Sequence, residues 1–265
     1  MKYRRPYRIK RKKSILKRRF FWLTIVGLII IGGLLYFFIF SSFFQIKETK
    51  ISGNQEILTR DLEDIIENQI THRWINNFSV SRSIFLTNFK KITKEILIKF
   101  PLVAKINLER SFPDILIVKV EERKPVAVFT QKGNYFLVDI EGVIFKKVDQ
   151  VSPELLEIEN LSSEKEINLG EKIIEKEKLI QILEIESKIR ENLKISIPKI
   201  SIISDKRLNL KTSENWEIYF DSSQDLNWQT TKLNLVLEKE IPLEKRGNLE
   251  YIDLRFSRVY YKYKQ

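Results

Sequence analysis

A chain of 265 residues, of which 43% are hydrophobic and 31% charged, is long enough for one large folded domain or two smaller ones. It has no cysteine, which excludes disulfide bonds and thiol catalysis, and a single histidine, which excludes a multi-histidine metal site. The formal net charge is +12, and its distribution along the chain is informative.

The excess positive charge lies in residues 1–19. This segment holds eleven Lys and Arg residues and no acid, which leaves 36 bases against 35 acids in the rest of the chain. Such a segment can bind nucleic acid, but it is also the flank that keeps one end of a membrane helix in the cytoplasm. Because an apolar segment follows directly, we interpret residues 1–19 as a disordered cytoplasmic tail that contacts membrane lipids, and we expect no nucleic-acid binding.

Residues 20–44 carry no charged side chain, and residues 20–40 are almost entirely apolar. As a helix, residues 20–40 would extend about 31 Å, which matches the roughly 30 Å hydrocarbon core of a bilayer. A cleaved signal peptide would have a shorter apolar region and a small-x-small site, and a buried core helix rarely excludes polar residues for so long. We therefore predict a single transmembrane helix, with Trp22, Tyr36 and the flanking Phe residues in the interfacial belts and residues 45–265 outside the cell membrane.

Residues 45–122 are predicted to form a first domain with the order β-α-α-β-β. Apolar residues alternate in its strands and recur at helical spacing in its helices, and Pro101 ends the second helix. A looser stretch without clear periodicity, His72–Ser83, separates the two helices. The predicted elements are a strand over Ile46–Ser52, a helix with Leu58, Leu62, Ile65, Ile66 and Ile70 on its apolar face, a helix over about Leu86–Lys99, and strands over Ala104–Leu108 and Ile115–Glu121.

Residues 123–265 are predicted to form a second domain of strands, tight turns and two helices. The helices span about Glu175–Leu193 and Asp225–Glu240. The strands are predicted at Val126–Thr130, Tyr135–Val138, Val143–Lys147, within Pro153–Glu159, and at Ile197–Ser204, Arg207–Thr212, Trp216–Asp221, Leu249–Leu254 and Ser257–Tyr263. Asp139 and Glu141 lie in one tight turn, where two acids favour turn chemistry, because a calcium loop needs more oxygen ligands. We predict no metal site and no cofactor.

Five motifs follow one another along the two predicted domains. They are ISGN at 51–54, FPLV at 100–103, RSFPDILIVKV at 110–120, EERKPVA at 121–127 and YIDLRFSRVY at 251–260. Together with the basic tail and the apolar helix, they resemble the FtsQ/DivIB family of bacterial cell-division proteins over nearly the whole chain. The stretch between the two helices is longer here than is usual in that family.

The resemblance implies an α+β chain with four parts. These are the basic cytoplasmic tail at 1–19, a transmembrane helix at 20–44, a POTRA domain (β-α-α-β-β) at 45–122, and at 123–265 an FtsQ-type β domain, which is a mixed α/β domain dominated by an antiparallel sheet. It further implies a scaffold at the division septum that links early and late division proteins. The POTRA domain would recruit further components of the division machinery.

The resemblance also implies a partner-binding site at the end of the chain. In the family, the last strand of the β domain receives a segment of FtsB, or of its Gram-positive counterpart DivIC, which pairs with FtsL. The matching positions are Arg255, Phe256 and Ser257, and Val259 and Tyr260 continue the same edge.

Two features of this segment have a purely structural alternative. Phe256 can equally be a core aromatic of the closing strand. Asp253 and Arg255 alternate on one strand face, where an intrastrand ion pair would be structural. Some family members have a glycine just after the arginine–aromatic pair, whereas this chain has Arg258 and Val259.

The sequence contains no catalytic motif that would indicate an enzyme. The single histidine, His72, has no neighbouring base or ligand, and there is neither a glycine-rich phosphate loop nor a nucleophile motif. We predict a non-enzymatic protein. Two alternatives are a POTRA protein of secretion or outer-membrane assembly, although 142 residues are too few for the usual β-barrel, and a membrane-anchored wall hydrolase.

Overall fold

The computed structural model describes residues 19–74, 79–162 and 166–264. The predicted basic tail lies outside this part of the chain except for Arg19. The chain divides into two compact units: residues 1–93 with 107–119 form the first, and residues 94–106 with 120–265 form the second.

The predicted apolar helix is present as α1, Arg19–Phe40, and none of its residues is buried against the rest of the protein. Among the described residues it is the one helix that is long and apolar enough to cross a membrane. A short 3-10 turn, Ser42–Phe44, follows it, and the side chain of Ser41 caps this turn. The helix therefore ends four residues before the end of the uncharged segment, where two serines interrupt the apolar run.

The elements after α1 follow the predicted order. They are β1 (Glu48–Ser52), α2 (Thr59–Ile70), β2 (His72–Trp74), β3 (Ser79–Ser81), α3 (Phe89–Lys99), β4 (Val103–Ser111) and β5 (Ile115–Glu122). Strands β1, β5 and β4 form one sheet in that order, and β1 runs parallel to β5. The predicted β-α-α-β-β arrangement is confirmed, with the short antiparallel pair β2–β3 between its two helices.

Helix α2 buries the apolar face that its spacing predicted, except at its start. Leu62, Ile65, Ile66 and Ile70 are buried. Leu58 stands one residue before the helix and is 68% exposed, so its assignment to that face is wrong. A residue at the N-cap has extended backbone geometry, and helical spacing does not extend to it.

The looser stretch between the helices contains the antiparallel pair β2–β3, in which His72 lies opposite Ser81. Residues 75–78 lie outside the described part of the chain. Each strand has three residues, too few for the alternation of apolar and polar side chains that predicts a strand.

The second unit is built on a nine-stranded sheet with the strand order β14-β13-β12-β11-β10-β9-β6-β7-β8. Five of its neighbouring pairs are antiparallel and three are parallel, so the predicted dominance of antiparallel pairing is confirmed. The strands are β6 (Ala127–Gln131), β7 (Asn134–Val138), β8 (Ile144–Val148), β9 (Leu156–Asn160), β10 (Lys199–Ile202), β11 (Arg207–Lys211), β12 (Glu217–Asp221), β13 (Leu249–Asp253) and β14 (Tyr260–Tyr263).

Three helices accompany this sheet: α4 (Lys176–Leu193), α5 (Leu226–Lys239) and the four-residue α6 (Leu243–Arg246). Helix α4 buries Leu179, Ile182, Ile185 and Ile189, and its apolar residues Leu183 and Leu193 are partly buried against the same core. The largest fully buried side chains of the core between helices and sheet are Trp216, Phe129 and Phe220.

An ion pair joins the EERKPVA motif to the turn before β8. The side chain of Arg123 is 14% exposed and pairs with Asp139, whose side chain is 7% exposed. Arg123 also donates from Nε to the Pro101 carbonyl over 3.0 Å. The other oxygen of Asp139, Oδ1, accepts the backbone N–H groups of Glu141 and Val143 at 3.1 and 2.9 Å. Asp139 therefore makes the turn contacts that its position predicted.

Candidate partner-binding edge

Strand β14 forms one end of the nine-stranded sheet. It pairs antiparallel with β13, from Asp253 opposite Tyr260 to Leu249 opposite Tyr263. On its other side no strand is paired with it among the described residues. An edge of this kind presents backbone donors and acceptors that another extended segment can pair with.

The predicted site residues lie where the chain enters this edge strand. Arg255, Phe256, Ser257 and Val259 form the loop between β13 and β14, and Tyr260 is the first residue of β14. The strand begins three residues later than the predicted Ser257. Val259 packs against the core, while Ser257 is exposed.

Three successive carbonyl groups of this loop accept hydrogen bonds from side chains. Lys232 of α5 donates from Nζ to the carbonyls of Leu254 at 2.6 Å and Phe256 at 2.8 Å. Gln224 donates from Nε2 to the carbonyl between them, that of Arg255, at 2.8 Å. Side chains thus take the place of a neighbouring strand here, which accounts for a loop where the sequence predicted an early strand start.

The loop-binding residue Lys232 is itself buried, with 6% of its surface exposed. This burial lowers the pKa of its amino group, and the nearby carboxyl of Asp253 acts in the opposite direction. Sequence reasoning missed Lys232, although a signal was present. Gln229, Lys232, Leu233 and Val236 recur at helical spacing on the buried face of α5, and a lysine within such a stripe indicates a specific polar contact.

The side chain of Arg255 forms the ion pair that its spacing from Asp253 suggested. Its Nε and Nη2 atoms donate to the two carboxylate oxygens of Asp253 at 2.8 and 2.6 Å. Asp253 is buried, and its hydrogen bonds raise the pKa of the Arg255 guanidinium. The guanidinium also lies 5.7 Å from the ring centre of Tyr219 and 5.5 Å from that of Phe256.

Two aromatic side chains stand exposed beside the free edge. Phe256 is 53% exposed and Tyr260 is 55% exposed, and their rings meet edge to face with centres 5.8 Å apart. The structure therefore decides against Phe256 as a core aromatic. A half-exposed aromatic pair next to a strand edge that no described strand pairs with is typical of a surface that binds another protein.

Replacing Lys232 by methionine is expected to lower the free energy of unfolding by about 1–3 kcal/mol, because two carbonyls lose their donor. Chemical denaturation of the full chain in detergent measures this, and hydrogen exchange over 254–259 should become faster. The matched control is Lys239→Met at an exposed position of the same helix, where the change should stay within about 0.5 kcal/mol. Equal stability of the two variants would show that the Lys232 contacts do not hold the loop.

A family model supports the resemblance seen in the sequence. The model for the C-terminal part of the cell division proteins FtsQ/DivIB matches residues 127–255, from the first residue of β6 to Arg255. A cell division protein FtsQ of Streptomyces bingchenggensis is 22% identical over 192 residues, which cover 71% of this chain and 66% of the relative.

Two clostridial relatives extend the match along more of the chain. The cell division protein DivIB of Clostridium tetani is 23% identical over 223 residues, 81% of this chain and 77% of the relative. DivIB of Clostridium acetobutylicum is 25% identical over 220 residues, 81% of each chain.

Fold and matches together define the class of protein. The described residues contain one apolar helix near the amino terminus and a large sheet-dominated C-terminal part that matches a cell-division family. These features define a single-pass membrane protein of cell division. The C-terminal part of the chain, residues 127–255, belongs to the FtsQ/DivIB family, and the relatives are cell division proteins named FtsQ and DivIB. This membership favours the cell-division interpretation over secretion or outer-membrane assembly.

Proposed function

We propose that this protein is a non-enzymatic scaffold of the division machinery at the septum. Helix α1 anchors it in the plasma membrane with the amino terminus in the cytoplasm, and the extracytoplasmic part binds the complex of an FtsB- or DivIC-like protein with an FtsL-like protein. The observation that carries the proposal is the outer edge of β14, with which no strand of the described residues pairs, beside the exposed rings of Phe256 and Tyr260.

The edge suits an extended partner segment for two reasons. A segment that pairs with β14 would gain backbone hydrogen bonds, which supply affinity for many sequences, while side-chain contacts supply specificity. Here the side-chain contacts would come from Phe256 and Tyr260, held in place by the loop that Lys232 and Gln224 bind.

The remaining parts of the chain would support this role. The basic tail would contact anionic lipid and fix the orientation of α1. Residues 45–122 would act as a POTRA domain that recruits further division proteins, and residues 123–265 as the β domain that carries the partner edge.

A fluorescent protein fused to the amino terminus tests the role in dividing cells. We expect a band at the division site, which should disappear when residues 45–265 are removed, because recruitment would depend on the extracytoplasmic part. The fusion without residues 45–265 should still give an even signal over the membrane, which shows that it is inserted normally. An even membrane signal of the full-length fusion throughout division would contradict the scaffold role.

A further inference from the structure

Aromatic rings from three separate parts of the chain meet at the carboxyl end of α1. We call them the aromatic cluster, and its members are Phe37, Phe38, Phe43, Phe44, Phe85 and Phe112. The ring centre of Phe85, which precedes α3, lies 5.5 Å from that of Phe38 and 5.2 Å from that of Phe44. Phe112, in the turn between β4 and β5, extends the cluster with its ring centre 5.5 Å from Phe85.

The outer members of the cluster face away from the core of the first unit. Phe85 is 43% exposed, Phe43 56% and Phe112 59%. Single exposed apolar side chains are ordinary on protein surfaces, but a connected group of aromatic rings indicates a surface that is covered by something else.

The backbone around the cluster is fastened to the end of α1. The hydroxyl of Ser83 donates to the carbonyl of Phe38 over 3.1 Å, and the backbone N–H of Ile84 donates to the carbonyl of Phe44 over 3.0 Å. From the other side, Arg110 donates to the carbonyls of Ile84 at 2.8 Å and Thr87 at 3.0 Å. The position of Phe85 relative to the end of α1 is therefore fixed by these hydrogen bonds.

The length of α1 places the cluster at a membrane surface. Its 22 residues extend about 33 Å, slightly more than the roughly 30 Å hydrocarbon core. The residues around Phe40 therefore reach the boundary between acyl chains and headgroups, where aromatic side chains are favoured. Phe85 contacts Phe38 directly, so its ring lies at the same level as the end of the helix.

We propose that the aromatic cluster is a membrane-binding surface. Phe85 and Phe112 insert into the interface of the bilayer that α1 crosses and hold the first unit against it. The occupant of this surface is lipid, because the surface is continuous with the lipid-facing end of α1 and lies at the same depth. This inference rests on the membrane crossing of α1 and not on the proposed role in division.

Spin labels at single cysteines test the proposal directly, because the natural chain contains no cysteine. The full chain is reconstituted into phosphatidylcholine–phosphatidylglycerol liposomes with a label at Phe112→Cys or Phe85→Cys. Accessibility to oxygen, which dissolves in lipid, is compared with accessibility to a water-soluble nickel chelate. If Phe85→Cys lowers the melting temperature, the result for the Phe112→Cys variant alone tests the proposal.

Two further positions calibrate the measurement. Ile30→Cys in the middle of α1 reports the hydrocarbon core. Leu58→Cys reports water, because Leu58 precedes α2 and is 68% exposed. At the other end of α2, Glu67 forms an ion pair with Arg82 at 3.4 Å. Arg82 directly precedes Ser83, which is hydrogen-bonded to the end of α1. Leu58 lies roughly 13 Å from Glu67 along the axis of α2.

We expect the oxygen-to-nickel ratio at Phe112 and Phe85 to be several-fold above that at Leu58 and to approach that at Ile30. A ratio equal to that at Leu58 would overturn the proposal, because the cluster would then face water. Low accessibility to both reagents would also overturn it, since the surface would then be covered by protein, such as a second copy. A water-like ratio at Ile30 would instead refute the membrane crossing itself.

Discussion

Phe256→Asp is expected to weaken binding of the FtsB- or DivIC-like partner by at least about 2 kcal/mol, which is roughly thirty-fold in Kd. The aspartate would bring a charge into a contact that the exposed rings of Phe256 and Tyr260 would otherwise make with apolar groups. Because 53% of Phe256 is exposed, the melting temperature of the protein should stay close to that of the natural chain. Co-purification and a binding titration with the partner complex measure the loss.

The matched control for this prediction is Leu161→Asp. Leu161 is 60% exposed and follows β9, which is separated from β14 by four strands of the sheet. At about 4.8 Å between neighbouring strands, the two positions are roughly 24 Å apart. Leu161→Asp should bind normally. Retained binding by Phe256→Asp with a normal melting curve would refute the assignment of the partner edge.

Regular packing explains which parts of the fold the sequence could predict. In the predicted face of α2 the apolar residues recur at helical spacing, and all of them except Leu58 are buried as predicted; the apolar residues of α4 follow the same spacing. The predicted strand Leu249–Leu254 agrees with β13, Leu249–Asp253, except for one residue at its end. Such elements are read correctly because each residue's burial depends on its place in one helix or strand.

Long-range contacts explain what the sequence left open. The exposure of the Phe256 ring follows from the conformation of its loop. The amino group of Lys232, 24 residues earlier, binds the Phe256 carbonyl in that loop. Likewise, Phe85 and Phe112 reach the end of α1 only through the folded first unit. A local pattern can mark Lys232 as a buried polar residue, but it does not identify the distant residues that these side chains contact. A three-residue strand such as β2 is too short to show any alternation.

Replacing Arg123 by methionine is expected to lower the free energy of unfolding by about 3–5 kcal/mol. The change leaves the buried carboxylate of Asp139 without its cation and removes the donor to the Pro101 carbonyl. Since typical domains are stable by about 5–15 kcal/mol, this is a large part of the total. Chemical denaturation of the full chain in detergent measures the loss.

An exposed ion pair of the same unit provides the control. Lys262 and Glu250 lie 2.7 Å apart between Nζ and Oε2, with side chains 48% and 44% exposed, and Lys262→Met should cost at most about 1 kcal/mol. In the double variant of Arg123→Met and Asp139→Leu, both buried charges are gone, so part of the lost stability should return, reduced by the loss of the two turn hydrogen bonds that Asp139 accepts. If Arg123→Met costs no more than Lys262→Met, the buried pair between Arg123 and Asp139 does not stabilise the contact of the EERKPVA motif with the turn before β8. If the double variant is as unstable as Arg123→Met, removal of the unpaired charge gains no more than the turn hydrogen bonds of Asp139 cost, and the orphaned Pro101 carbonyl accounts for the rest of the loss.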